Sequence, residues 1–263
     1  MEEKKTKPKH FWWLAVCLVL LLAVAGAKPG WYLLQDLTFY WFDHTETEYK
    51  VKAWAEEAGI FYAEYPGSLV ELLERNPETE DFVRNYPFRE KKDFDLSGTE
   101  REEVPLFLQW DSRWGYETYG SDFLAITGCG PTCLAMVGYY LTGEESWNPA
   151  AVAEFAEENG YYAEGYGSSW TLISKGGVEL GLTVTELPLV KKKMMDALEA
   201  GKLIILAMGK GDFTTTGHYI VLTGLEDGHF RVKDPNSIAN SEKLWSYEQI
   251  EGQIRNIWAI GKE

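Results

Sequence analysis

The chain is 263 residues long, enough for one substantial core and some additional structure but not for several full domains. Aromatic residues make up 14% of it, which argues against a disordered chain, and a formal charge of −16 weighs against nucleic acid or an anionic lipid surface as the main partner. Three cysteines, one of them in an N-terminal apolar stretch, supply no disulfide framework, and with the histidines they form no spaced metal-ligand cluster.

Lys4, Lys5, Lys7 and Lys9 precede an unbroken apolar run from Phe11 to Ala27. Its length is the minimum for a spanning helix and slightly above the apolar region of a signal peptide. An uncleaved membrane anchor through residues 11–27 is the favoured reading, with a cleaved signal as the alternative, because Ala23-Val24-Ala25 and Ala25-Gly26-Ala27 both suit a signal peptidase. Either way the lysines stay in the cytoplasm and the rest of the chain faces outward. Residues 1–30 are thus a lysine-rich tip with an anchor or signal helix.

Residues 31–102 read as a helical stalk or collar. Ser68 to Glu71 has capping-box spacing, Asn76-Pro77 stops the helix it opens, and Pro87 ends a second short helix from Glu78 to Asn85. His44 is expected to be an exposed loop residue. From Arg89 to Glu103 ten of fifteen residues are charged, which marks the domain boundary.

Residues 103–263 carry the chemistry. Val104–Gln109 is expected as a short strand, followed by an aromatic loop whose Trp110, Trp114, Tyr116, Tyr119 and Phe123 either bury themselves or line a groove, burial being favoured. In Gly128-Cys129-Gly130-Pro131-Thr132-Cys133, Pro131 fits a first helical turn, which places Cys129 at the N-terminus of an apolar helix ending near Gly143. Unpaired N–H groups and the helix dipole there favour an anion such as a thiolate. Cys129 is either a reactive thiol or a small packed cysteine, and the presence of a base decides which. Cys133, one turn further on, is expected in the core. Helices follow from Asn148-Pro149 to Glu158 and from Trp170 to Leu180. Then come a strand at Leu182–Leu187, a helix at Met194–Ala200, a buried strand at Leu203–Met208, a hairpin from His218 to Asp234, a helix near Tyr247–Gln253 and a strand at Asn256–Ile260. Helices first and antiparallel strands later make an α+β domain, helices packed on one antiparallel sheet.

The hairpin offers the base. A three-residue loop, Glu226 to Gly228, pairs Leu225 with His229, sets Ile220 opposite Asp234 and brings Asp234 diagonally beside His218 on one face. A two-residue Asp-Gly turn would put Asp234 opposite Val221, on the wrong side. An orienting role for Asp234 therefore requires an odd-length loop or a bulge. His229, on the turn itself, is expected to be solvated.

The segments 104–109 (Val-Pro-Leu-Phe-Leu-Gln), 128–137 (Gly-Cys-Gly-Pro-Thr-Cys-Leu-Ala-Met-Val), 217–224 (Gly-His-Tyr-Ile-Val-Leu-Thr-Gly) and 232–237 (Val-Lys-Asp-Pro-Asn-Ser) resemble, in that order, the papain-like cysteine peptidases of the bacteriocin-processing, or double-glycine peptidase, superfamily. The stand-alone, membrane-anchored or secreted bacterial branch is the nearest in pattern. The resemblance implies a papain-like fold over about residues 103–263, with Cys129 as nucleophile, His218 as base and then acid, Asp234 as orienter and Gln109 as oxyanion donor, and with no cofactor. Gln109 stands 20 residues before the cysteine, farther than the family pattern, so a loop must double back to bring it in. The expected function is extracytoplasmic hydrolysis of peptide or related amide bonds through an acyl-enzyme. The alternatives are a peptidoglycan amidase or endopeptidase acting on cell-wall peptides, and a catalytically silent membrane-tethered binding module.

Overall fold

A computed structural model describes Val16 and residues 28–90, 94–165 and 167–262. The run Phe11–Ala27, expected as an anchor or signal helix, lies outside the described residues apart from Val16. Among the described residues no helix is long and apolar enough to cross a membrane.

The chain forms two compact units. The first takes the described residues up to Arg75 together with Val83–Pro87, and the second takes Asn76–Phe82 and the chain from Phe88 onward. Helices α1 (Lys28–Thr38), α2 (Glu46–Ala58) and α3 (Gly67–Arg75) belong to the first. Thr45 and Glu48 cap α2 reciprocally, and Gly59 closes it in the left-handed conformation. Lys52 is buried but paired with Asp36 and Glu56, as a buried charge must be. His44 is not the exposed loop residue its sequence context suggests. Its ring stacks on Phe39 at 3.8 Å and 4°, and one nitrogen meets the Phe39 carbonyl. Helix α4 (Glu80–Asn85) follows a 3-10 turn at Pro77–Thr79.

In the second unit two short ribbons, β1 (Thr118–Tyr119) with β2 (Asp122–Phe123) and β3 (Tyr162–Ala163) with β4 (Gly167–Ser168), accompany the helices α5 (Leu124–Thr127), α6 (Cys129–Thr142) and α7 (Pro149–Glu158). The helix expected at Trp170–Leu180 is a π-helical turn, Leu172–Gly176, running into α8 (Gly177–Glu179). The main sheet comprises β5 (Leu182–Glu186), β6 (Leu203–Met208), β7 (His218–Glu226), β8 (His229–Lys233), β9 (Leu244–Trp245) and β10 (Ile254–Lys262). All its neighbours are antiparallel, in the order β5-β10-β6-β7-β8-β9. Helix α9 (Lys191–Glu199) precedes β6, and the short helices α10 (Ile238–Ser241) and α11 (Tyr247–Ile250) flank β9.

Strand β6 is apolar at every position because it is covered on both faces. Ile205 and Ala207 join Tyr219, Val221, Trp258 and Ile260 in one core with Leu134, Met136 and Val137 of α6, whereas Ile204, Leu206 and Met208 join Ile220, Leu222 and Ile257 in another with Met194 and Leu198 of α9. This is the expected α+β arrangement. Helix α6 is buried along most of its length, which explains why its sequence shows no polar stripe. Leu96, from the charged stretch 89–103, is fully buried in the first of these cores, with Phe94 packed against it. Val104–Gln109 forms no strand. Pro105 lacks an N–H, and the Gln109 N–H donates to Pro235 O instead of joining a ladder.

At Gly138 in α6 an added Cβ would lie 1.9 Å from Cε3 of Trp147, inside contact distance. Helix propensity alone favours Gly138→Ala by about 1 kcal/mol. The clash reverses the sign, and denaturant unfolding is expected to show a loss of about 1–3 kcal/mol.

Candidate active site

Cys129 is the first residue of α6, half-buried, with Gly128 before it as N-cap. The N–H groups of this first turn have no partners within the helix, so the sulfur stands where anionic charge is stabilised. Gly130 is required by proximity. A Cβ there would fall 2.6 Å from Ser168 Oγ, so the β4 strand passes directly over the turn that bears the thiol. Cys133 is fully buried, as expected of a core residue, and burial pushes its thiol well above the ordinary value.

His218 opens β7 and is buried. Its Nε2 lies 2.7 Å from Asp234 Oδ1, and Cys129 is near enough to contribute to the upward shift of its pKa. With Nε2 engaged by the carboxylate, Nδ1 is the nitrogen left for the sulfur. An ionised carboxylate only accepts, so Nε2 carries a proton and Nδ1 is free to take one from the thiol. Burial pulls the imidazole pKa down most strongly, but the charge and hydrogen bond of Asp234, with the contributions of Cys129, outweigh it and raise the value from 6.5 to about 10.

The two strands bring Asp234 into place by a route that the sequence left open. Glu226 pairs with His229, so the turn is the two-residue Asp227-Gly228, both at positive φ, rather than the three-residue loop. That register alone would misplace Asp234. A bulge between Leu222 and Gly224 restores it, pairing Leu222 with Val232 and Val221 with Lys233. Continued by one residue, the register sets Asp234 opposite Ile220 and diagonal to His218. His229 is exposed on the turn, as expected.

Asp234 is almost completely inaccessible, and both of its oxygens are used. Oδ1 also accepts from the Asn236 N–H at 2.9 Å, and Oδ2 accepts from Asn240 Nδ2 at 2.9 Å. The Asp234 N–H donates to Ser241 Oγ. Asn240 and Ser241 were not identifiable as site residues from sequence, since nothing in the run after Asp-Pro-Asn-Ser says that the chain coils back.

Gln109 is brought to the turn before Cys129, so the long loop does double back. Its Nε2 donates to Ala125 O at 2.7 Å and, less closely, to Ile126 O at 3.4 Å. Its Oε1 is buried without a hydrogen-bond partner. Of the loop aromatics, Trp114 and Tyr119 are fully buried. Tyr119 bonds to Ser168 Oγ, and Tyr219 donates to Ser168 O. Burial raises both tyrosine hydroxyls well above their ordinary value, and negative charge at Cys129 raises them further, so they stay protonated beside the thiol. Among the described residues no cluster of histidines, cysteines and carboxylates suits a metal ion.

The model of the Peptidase_C39 like family matches residues 101–262. Three solved structures are similar to parts of the chain. The peptidase domain of Streptococcus ComA, a bifunctional ABC transporter involved in a quorum-sensing pathway, is 19% identical over 52% of this chain and 93% of its own, with a TM-score of 0.41. A double-glycine-motif protease from an AMS/PCAT transporter, in complex with its leader peptide, is 19% identical over 63% and 96%, with a TM-score of 0.39. A C39-like peptidase from Bacillus anthracis is 15% identical over 61% and 95%, with a TM-score of 0.41. Among curated proteins none matches the sequence.

The raised His218 value has a thermodynamic consequence. A protonated ring stabilised in the folded state contributes stability that is fully present below about 6.5, declines as pH rises, and is gone once pH passes about 10. The stability difference between the wild type and His218→Gln is expected to shrink steadily across that window in denaturant unfolding. A difference independent of pH would show that the ring is not held protonated.

Proposed function

We propose, from the premise that this chain belongs to the Peptidase_C39 like family by the match over residues 101–262, that its activity is cleavage of peptide bonds by Cys129, His218 and Asp234. As a member of that family it is a cysteine peptidase-like hydrolase. One observation carries the assignment of roles: His218 is paired with a buried carboxylate, and the cysteine at the helix entrance is near enough to act on its pKa.

In this reading the Cys129 thiol gives its proton to His218 Nδ1, and the thiolate attacks the substrate carbonyl carbon. Negative charge moves to the carbonyl oxygen, where the N–H of Cys129 and Gln109 Nε2 are the proposed donors. Gln109 Nε2 donates to Ala125 O at 2.7 Å and to Ile126 O at 3.4 Å, so its service to the oxyanion requires the amide to rotate and release these contacts. Collapse of the adduct breaks the C–N bond while His218 returns its proton to the leaving amine. Water, deprotonated by the same imidazole, then hydrolyses the thioester and regenerates the thiol. Asp234 fixes the ring's orientation and balances its positive charge throughout.

We further propose that the reaction takes place outside the cytoplasmic membrane, with residues 11–27 as tether. The lysine-rich start and the apolar run that follows support this placement. The substrate class is then an extracytoplasmic peptide, including the stem peptides of peptidoglycan.

Iodoacetamide near neutral pH is expected to label Cys129 ahead of buried Cys133, and His218→Ala to slow that labelling. Equal, slow labelling of both would favour a silent binding module. Cys129→Ala is expected to abolish hydrolysis, His218→Ala to lower kcat by ~10²–10⁴-fold, and Gln109→Ala to lower it by ~10²–10³-fold with little change in KM. Mass analysis of fragments released from purified peptidoglycan decides between a free peptide and the cell wall as substrate.

A further inference from the structure

The loop that carries Asp234 has little apolar packing to hold it. Helix α10 buries none of its residues, and Ile238 is exposed. Yet Asn240 and Ser241 of that helix are what grip the Asp234 carboxylate and backbone. Polar ties must therefore fix the loop. Trp110 Nε1 donates to Asn236 O, the Gln109 N–H to Pro235 O and Trp245 Nε1 to Asn240 O.

The remaining ties come from residues that precede the family match. Glu78 Oε1 accepts from Ser237 Oγ at 2.9 Å and from the Ala239 N–H at 3.2 Å, while Oε2 accepts from the Ile238 N–H at 2.6 Å. Asn76 Nδ2 donates to Asn236 O at 2.6 Å, and the Asn236 N–H is itself a donor to Asp234 Oδ1. Asn76 and Glu78 are mutually fixed, since Asn76 Oδ1 accepts from the Glu78 N–H. Their segment is anchored by Phe82, which stacks on Tyr116 at 4.2 Å and whose carbonyl accepts from the Tyr116 hydroxyl.

We propose that Glu78, supported by Asn76, is a positioning residue of the active site, acting through the 236–241 loop to hold Asp234 against His218. The segment Asn76–Phe82 is then a working part of the peptidase unit, although it lies outside the residues that identify the family. This rests on the reading of Asp234 as the partner of His218. An error in Asp234's position passes to the imidazole and thence to the sulfur, the two groups other than Asp234 itself on which the thiolate–imidazolium pair depends.

The test uses the full-length chain and iodoacetamide as probe. The rate of Cys129 alkylation is read at mildly acidic pH, where only a paired thiolate reacts, and at alkaline pH, where any accessible thiol does. Glu78→Ala is expected to lower the acid-to-alkaline rate ratio by about 10-fold. Glu78→Gln keeps one acceptor oxygen and should fall between this and the wild type. A purely structural role would lower the unfolding temperature and leave the ratio unchanged, and that result in a folded variant overturns the proposal. If Glu78→Ala does not fold, Glu78→Gln decides by the same criterion. Asp234→Asn is measured alongside. A drop for Asp234→Asn with none for the Glu78 variants removes Glu78 alone, whereas no drop for Asp234→Asn removes the reading on which Glu78 depends.

Discussion

The buried contact between His218 Nε2 and Asp234 Oδ1 constrains everything around it. An imidazole and a carboxylate taken out of water together are tolerated when they pair and when their remaining polar atoms are satisfied; otherwise the loss of hydration dominates. Here Asp234 has donors on both oxygens and on its own backbone a partner in Ser241. With Nε2 engaged by the carboxylate, one contact sets the ring's tautomer and orientation and favours its charged form.

The sheet and the helix meet at this point for separable reasons. Helix α6 is placed by burial, with Leu134, Met136 and Val137 against the face formed by Ile205, Val221 and Trp258. His218 and Asp234 are placed by strand register, which burial alone does not specify at the end of a hairpin. A single bulge between Leu222 and Gly224 shifts the register so that Asp234 comes to lie beside His218. The local cost of an irregular ladder is thus tied to the geometry of the site, as bulges beside functional centres commonly are.

Much of this was legible in the sequence because it is local. The Cys129 helix, its stop at Gly143, the apolar strand Leu203–Met208 and the hairpin each carry their own turn or periodicity signal. What was not legible depends on partners distant in sequence. Nothing around Thr223 announces a bulge, and an Asp-Gly turn is compatible with either outcome until the register is known. Val104–Gln109 has the composition of a strand but finds no ladder, because Gln109 bonds to the Asp234-Pro235-Asn236 turn instead. Leu96 and Phe94 sit in a charged run that reads as a linker, yet two apolar side chains suffice to fix it to a core. Asn240 and Ser241 are ordinary residues of a polar loop until the chain folds back on Asp234. Gln109 could be named from a motif but not placed, since 20 intervening residues fix no distance to Cys129.

Protonation of the two His218 ring nitrogens, followed by nitrogen NMR across pH, tests the central pairing most directly. A ring paired with the Asp234 carboxylate remains doubly protonated at neutral pH and loses its proton only near 10. A neutral ring at neutral pH, titrating at the ordinary value of 6.5, would contradict the account, because the imidazole would then be neither charged by its carboxylate nor coupled to the thiol.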